Sequence, residues 1–326
     1  MRVVVALGGN AILRRDQQMT VANQRASIAA ACGPLARIAA EHELIVSHGN
    51  GPQIGLLALQ AAAYDHVSEY PFDVLGASTE GMIGYLIEQE LGNQLGNHRV
   101  VTTLVTRTEV DARDPAFHDP TKFVGPGYAD EAAAAAAEQN GWTMKRDGTW
   151  MRRVVPSPRP HRIVELQPIQ WLLEKRAVVI CAGGGGVPTL RTPPDLPNAP
   201  GDVLMGVEAV IDKDLASAVL ARDLHADLLI IATDVDGVYL DWHGDDERRI
   251  VRAHPDALDP DAFPAGSMGP KVRAAVQFAH ETSGTAVIGS LQDIDAMLAG
   301  RAGTTVSRSR EGMDCHWTRT VDPVAR

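Results

Sequence analysis

Val3-Val4-Val5-Ala6-Leu7-Gly8-Gly9-Asn10 opens the chain as an apolar strand that ends in glycines and an asparagine. The pattern returns at Leu44-Ile45-Val46, followed by Ser47 and His48-Gly49-Asn50-Gly51-Pro52. It returns again at Val178-Val179-Ile180, which runs through Cys181 and Ala182 into Gly183-Gly184-Gly185-Gly186. A strand ending in glycine exposes backbone N–H groups with no Cβ in the way of a ligand. A helix that follows adds partial positive charge at the same point. In an open α/β sheet three such turns converge at the carboxyl ends of the strands, where these folds bind ligands. The ligand this predicts is small and anionic, a phosphate or an acyl phosphate. One Gly-Gly turn alone is as often only a tight turn; three after apolar strands point to a site.

Working outward, strands and helices alternate. Residues 2–7, 44–47 and 100–106 read as strands, and residues 21–41, 53–63 and 81–91 as helices, with Gly33-Pro34 predicted to kink or split the first. After residue 162 a helix (163–175), the strand into the four-glycine turn, a helix (213–224), a strand (228–232), a helix (271–280), a strand (285–288) and a short helix (294–298) follow. This predicts one α/β domain over 1–326, an open and mainly parallel sheet sandwiched between helices. Residues 303–306 read as a last edge strand, and residues 307–326 as a loosely ordered tail. Between 111 and 162, prolines and aromatics crowd around Lys122 and only one short helix (132–138) is evident. Such a stretch predicts a protruding lid.

Composition narrows the function. A 326-residue chain with net charge −11 disfavours nucleic acid and anionic membrane as partners. Cys32, Cys181 and Cys315 lack metal-ligand spacing, and with no secretory pattern they suggest a reducing, cytoplasmic setting. Asp314, Cys315 and His316 form a lone cluster, more often inert than a metal site. Only five lysines occur: Lys122, Lys145, Lys175, Lys213 and Lys271. Arginine carries most of the positive charge, so a lysine marks a place for a compact ammonium. Lys145 and Lys175 sit in ordinary polar surroundings. Lys213 and Lys271 each stand at a predicted helix start, where a cation is disfavoured by roughly 0.3–1 kcal/mol. Asp212 and Asp214 flank Lys213, and either could cap the helix; Asp212 could instead help with a metal. Asn10 and Asn50 could bind a ligand or simply make turns. There is no Gly-x-x-x-x-Gly-Lys-Ser/Thr, and the Gly49-Asn50-Gly51 spacing does not fit a dinucleotide fingerprint.

The run Gly206-Val207-Glu208-Ala209-Val210-Ile211-Asp212-Lys213-Asp214 resembles the carbamate kinases. So do the first two glycine turns, Pro71-Phe72-Asp73-Val74 with Gly81-Met82-Ile83-Gly84-Tyr85, Pro120-Thr121-Lys122, Arg153-Val154-Val155-Pro156-Ser157-Pro158, and Ser267-Met268 with Pro270-Lys271. They occur in the family's order and cover the chain from Val3 to about Val306. The resemblance implies the amino-acid kinase fold, a homodimer, and Mg²⁺-dependent phosphoryl transfer between carbamoyl phosphate plus ADP and carbamate plus ATP. It implies catalytic roles for Lys122, Lys213, Lys271 and Asp214, with Asp214 orienting the lysines. Gly8, Gly9, Asn10, Gly49, Asn50, Gly51, Gly184 and Gly185 would bind substrate. Thr233, Asp234, Val235, Asp236, Tyr239, Met268 and Lys271 would line the nucleotide, with Mg²⁺ held mainly by its phosphates. His48 reads as structural, since an acyl phosphate giving its phosphoryl group to ADP needs no general base. The alternatives are a kinase of another small acid and a catalytically weak sensor. The chain departs from the family pattern at Met205, where relatives often carry lysine, and at Gly269, where they tend to carry a bulky apolar residue. Arg152, Arg153 and Arg159 are the candidate substitutes for the missing charge.

Overall fold

A computed structural model describes residues 1–14, 17–64, 70–192 and 203–317. Most of the proline-rich stretch 192–201, and the tail beyond 317, lie outside them. The large sheet runs in the order Val238–Leu240, Arg248–Ala253, Thr304–Val306, Thr285–Ser290, Leu228–Thr233, Arg2–Leu7, Glu43–His48, Val178–Ile180, Val101–Thr103. The six strands from Thr285–Ser290 to Val101–Thr103 are mutually parallel. Their near-continuous apolar runs are what a strand covered on both faces requires. One layer of core joins Val4, Ile45 and Leu229 to Phe278 and Val272 of the Met268–Glu281 helix. The opposite layer joins Val3, Val5 and Val46 to Ile28 and Leu35 of Val21–Glu41 and to Ile83 and Ile87 of Phe72–Leu95.

Register places the site. Leu7 lies between His48 and Ala232, and Val46 is paired with Ile180. The ladder runs one residue into each turn: Gly8 N donates to Ala232 O, Gly49 N to Leu7 O and Cys181 N to Val46 O. All three glycine turns therefore leave the sheet side by side at its carboxyl edge.

Four local expectations are corrected. The Val21–Glu41 helix is not split at Gly33-Pro34 but runs on through it; burying Ile28, Leu35 and Ile38 outweighs the one lost backbone hydrogen bond. The strand expected over 100–106 ends at Thr103, and Arg107–Val110 starts a second sheet. The break exists because the Thr106 amide and hydroxyl turn to the Glu80 carboxylate. Thr304–Val306 is an interior strand, between Thr285–Ser290 and Arg248–Ala253. The tail read as loosely ordered from 307 contains a strand, Met313–Trp317, antiparallel to Arg248–Ala253, with Arg248 stacked 5.1 Å from the Trp317 ring. Its side chains are mostly exposed, so it carries no periodic pattern to read.

Within 111–162 the strands Lys122–Tyr128, Trp150–Val155 and Met144–Asp147 form a separate antiparallel sheet beside the Asp130–Asn140 helix. The chain leaves from Arg107–Val110 and returns through Pro160–Ile163, which pair with each other. Val124 and Val155 of this arm pack on Ile54, Ala58 and Phe72. The approach is close: a Cβ on Gly55 would lie 2.7 Å from the Gly125 backbone.

Candidate active site

Asp212 starts the site. Its Oδ1 accepts from the amides of Asp214 (2.9 Å) and Leu215, capping the Lys213–Asp223 helix. Its Oδ2 accepts from Lys122 Nζ at 2.7 Å. One carboxylate thus fixes a helix start and draws in the arm's lysine across 90 residues of sequence. The cap expected of Asp212 is present; its bond to Lys122 had no signature in the sequence.

Asp214 does the equivalent for the other two lysines. Its Oδ1 accepts from Lys213 Nζ and its Oδ2 from Lys271 Nζ, the latter at 2.9 Å. Its side chain is 4% exposed, and those of Lys213 and Lys271 are 14% and 15% exposed. Burial alone would raise the Asp214 pKa; the two ammonium groups reverse this and hold it well below the usual carboxylate range. Burial depresses Lys213 below an ordinary lysine despite Asp214. For Lys271, Asp214 overcomes the burial penalty and raises it. Three ammonium groups against two carboxylates leave one excess positive charge, in a chain whose net charge is −11.

The cluster sits against the glycine turns. The Lys213 stem passes 3.4 Å from where a Gly49 Cβ would stand, and Gly49 itself is beside the Gly9 amide. Ser47 and Ser217 hydroxyls, 2.6 Å apart, tie the strand to the lysine helix. Gly9 and Gly51 head helical segments, whose first amides have no partner inside the helix. Gly8 and Gly49, by contrast, spend their amides on the ladder, so their part is close approach. In the third turn Ala182, Gly184, Gly185 and Gly186 all have positive φ, at 50°, 66°, 100° and 82°. A Cβ on Gly184 would lie 2.1 Å from Asn50 Nδ2, and one on Gly185 would lie 2.6 Å from Ile211 O. Glycine is needed here by geometry as well as by conformation.

Both asparagines have protein partners. Asn50 is buried and donates to Thr79 Oγ1 at 2.9 Å. Asn10 donates to Asp234 Oδ2 at 2.8 Å, linking the first turn to the Thr233–Tyr239 segment. In that segment Thr233 donates to Asp234, and Tyr239 Oη and Arg249 both bind Asp236, at 2.6 and 2.9 Å. Burial and Asp236 push the Tyr239 pKa up to about 12. Val235 is half-buried between these acids. Asp234 adds to the attraction on Lys271, and Met268 heads the helix that carries Lys271.

His48 is fully buried, with Nδ1 3.1 Å from its neighbour's carbonyl and Nε2 unpartnered. Burial lowers its pKa to about 4, so it is neutral near neutral pH. Met205 is half-exposed on the edge strand Leu204–Gly206. Arg152 bonds Asp147 and Gly125 O within the arm, and Arg153 stacks on Phe72 and Trp142. Arg159 is joined to Asp114 through its amide. Gly269 sits in tight quarters: its Cβ would meet the carbonyls of Phe263 and Pro264 at 3.1 Å.

The family model for the amino acid kinase family matches residues 1–290. Carbamate kinase of Rhizobium meliloti is 54% identical over 316 residues, 97% of this chain and 96% of its own. Carbamate kinase of Haemophilus influenzae is 53% identical, over 96% of this chain and 99% of its own. The chain belongs to the carbamate kinases of the amino acid kinase family. Among solved structures of this family, carbamate kinase from Giardia lamblia bound to AMP-PNP superposes with a TM-score of 0.83 at 39% identity, covering 94% of this chain and 98% of that one. The chain therefore has the amino-acid kinase fold and is a kinase. No helix among the described residues is long and apolar enough to cross a membrane.

Proposed function

We propose that the protein moves a phosphoryl group between carbamoyl phosphate and ADP, giving carbamate and ATP, and that it runs towards ATP. The observation that carries this reading is the gathering of Lys122, Lys213 and Lys271 on Asp212 and Asp214, in a chain with only five lysines. A β-phosphate oxygen of ADP attacks phosphorus, the bond from phosphorus to the carbamoyl oxygen breaks, and carbamate leaves with the electron pair. The attacking oxygen is already anionic and the leaving oxygen departs as a stable carboxylate, so no proton has to move. The protein's share is alignment and charge neutralisation. Glycine turns hold the acyl phosphate on one side and the Thr233–Tyr239 segment with Met268 holds the nucleotide on the other. Asp214 favours the charged forms of Lys213 and Lys271 against burial and aims both at the equatorial oxygens between them.

Among the described residues no group of three or more His, Cys, Asp or Glu side chains is placed to hold a metal. Asp212 and Asp214 already hold ammonium groups. This donor set fits Mg²⁺ that arrives on the nucleotide phosphates, as Mg²⁺ commonly does. When bound it would neutralise phosphate charge. The exposed side chains of Val74, Met82 and Tyr85 on the Phe72–Leu95 helix support a homodimer; light scattering at twice the chain mass tests it. A cytoplasmic setting fits the three free cysteines.

Lys122 is expected to follow the acyl phosphate. Lys122→Ala should raise the KM for carbamoyl phosphate about tenfold or more and leave the KM for ADP within about twofold, scaled to losing one charge-assisted bond. A loss confined to ADP would put the arm over the other substrate. The substrate reading itself is tested by comparing acyl phosphates as donors to ADP. Carbamoyl phosphate should exceed acetyl phosphate in kcat/KM by at least about a hundredfold, the discrimination polar contacts to an amide can supply. Equal rates would favour a kinase of another small acid.

A further inference from the structure

A buried carboxylate that the phosphoryl-transfer scheme does not use stands directly behind the third glycine turn. Glu80 lies on the inner face of the Phe72–Leu95 helix and is 1% exposed. Three donors converge on it. Its Oε1 accepts from Thr106 Oγ1 at 2.6 Å and from the Gly183 amide at 2.8 Å, and its Oε2 accepts from the Thr106 amide at 3.0 Å. The Thr106 hydroxyl also accepts from the Ala182 amide at 2.6 Å. Glu80 and Thr106 together therefore hold two successive amides of the turn.

That turn needs holding. Ala182 is a non-glycine residue in the left-handed region, and three more residues with positive φ follow within four positions. Left-handed backbone at a residue with a Cβ is strained and persists only where surrounding contacts impose it. Gly183 is clamped from both sides: its Cβ would meet the His48 ring at 2.4 Å and Glu80 Cγ at 2.7 Å. Beyond the clamp, Gly184 faces Asn50 and Gly185 faces Ile211, one residue before Asp212. The Thr108 hydroxyl bonds Gly185 O at 2.8 Å.

We propose that Glu80 is a positioning residue for phosphoryl transfer, fixing through Thr106 and Gly183 the turn that seats the acyl phosphate. The proposal rests on the functional reading above. Its chemistry is specific. All three hydrogen bonds are donated to the carboxyl group, so an ionised carboxylate suits them best. A glutamine would turn an NH₂ group towards at least one donor. Burial opposes the charge and pushes the Glu80 pKa up to about 8, with Thr106 and the Gly183 amide pulling down and Glu165 adding to the rise. The other titratable neighbours are Cys181, whose thiol burial raises out of range, and His48, which is neutral. The sign follows. Protonation of Glu80 favours folding, a contribution that is full below the unfolded pKa near 4.5 and lost as pH rises to about 8. The ionised form that holds the turn best gains population over the same interval.

The test is steady-state kinetics of ATP formation by the full chain with Glu80→Gln, Thr106→Val and Thr106→Ser. Glu80→Gln and Thr106→Val should each raise the KM for carbamoyl phosphate about tenfold or more and shift the KM for ADP less than twofold. Thr106→Ser, which keeps the hydroxyl, should return to within about twofold of wild type. In wild type the KM for carbamoyl phosphate should fall as pH rises through about 8, and Glu80→Gln should flatten that limb. Equal shifts in both KM values, or none in a folded variant, overturn the proposal. If Glu80→Gln does not fold, the Thr106 pair decides by the same criterion. A wild-type protein that makes no ATP from carbamoyl phosphate and ADP refutes the functional reading instead, before any variant is compared.

Discussion

Lys213→Ala and Lys271→Ala are each expected to lower the turnover number by about a hundredfold to a thousandfold. That is the scale for removing one preorganised donor from a site where charge moves, roughly 2.7–4 kcal/mol of transition-state stabilisation. Stability should change much less, because Asp214 keeps its second lysine in either variant. Asp214→Ala provides the contrast. It strands two buried ammonium groups at once, and breaking a buried pair costs about 3–5 kcal/mol, so this variant should lose both activity and melting temperature. Initial rates beside thermal melts separate the two behaviours. Near-normal turnover in both lysine variants would remove the cluster from the chemistry.

Gly184→Ala should have the next largest effect, and for a different reason. The φ of 66° costs a residue with a Cβ about 1–2 kcal/mol, and the new methyl group would stand 2.1 Å from Asn50 Nδ2. Asn50 cannot simply swing aside, because it is buried and bonded to Thr79. The variant should lose roughly 1–3 kcal/mol in denaturant unfolding and at least about tenfold in kcat/KM. Adding Asn50→Gly removes the clash while leaving the φ penalty, so the double variant should recover part of the stability and little of the activity. A single variant with wild-type unfolding and rate would mean that the turn is soft and that its glycines are not set by crowding.

The sheet was legible because its parallel strands are buried on both faces and so read as unbroken apolar runs, as at Val3–Val5 and Val178–Ile180. Lys213 and Lys271 stood out because lysine is scarce and because both stand where a helix disfavours a cation, whereas Lys122 and Asp214 were marked mainly by the resemblance. The resemblance added order to motifs that are individually weak. Other features depend on contacts far apart in sequence. The Asp212–Lys122 bond crosses 90 positions, and nothing in either local sequence marks it. Glu80 reads as one more polar residue of a long helix until Thr106 and Gly183 are brought to it. The strand Met313–Trp317 is nearly all exposed and borrows its order from Arg248–Ala253. The partners of Asn10 and Asn50, Asp234 and Thr79, likewise lie far from them in sequence.

The most direct measurement follows phosphorus itself. Incubating the protein with carbamoyl phosphate, ADP and Mg²⁺ and recording ³¹P spectra over time should show the carbamoyl phosphate signal lost in step with growth of the ATP γ-phosphate signal, one for one beyond the uncatalysed decay. The same experiment with Lys213→Ala should show ATP growing about a hundredfold to a thousandfold more slowly. Release of inorganic phosphate without ATP, or no change from the protein-free control, would contradict the account.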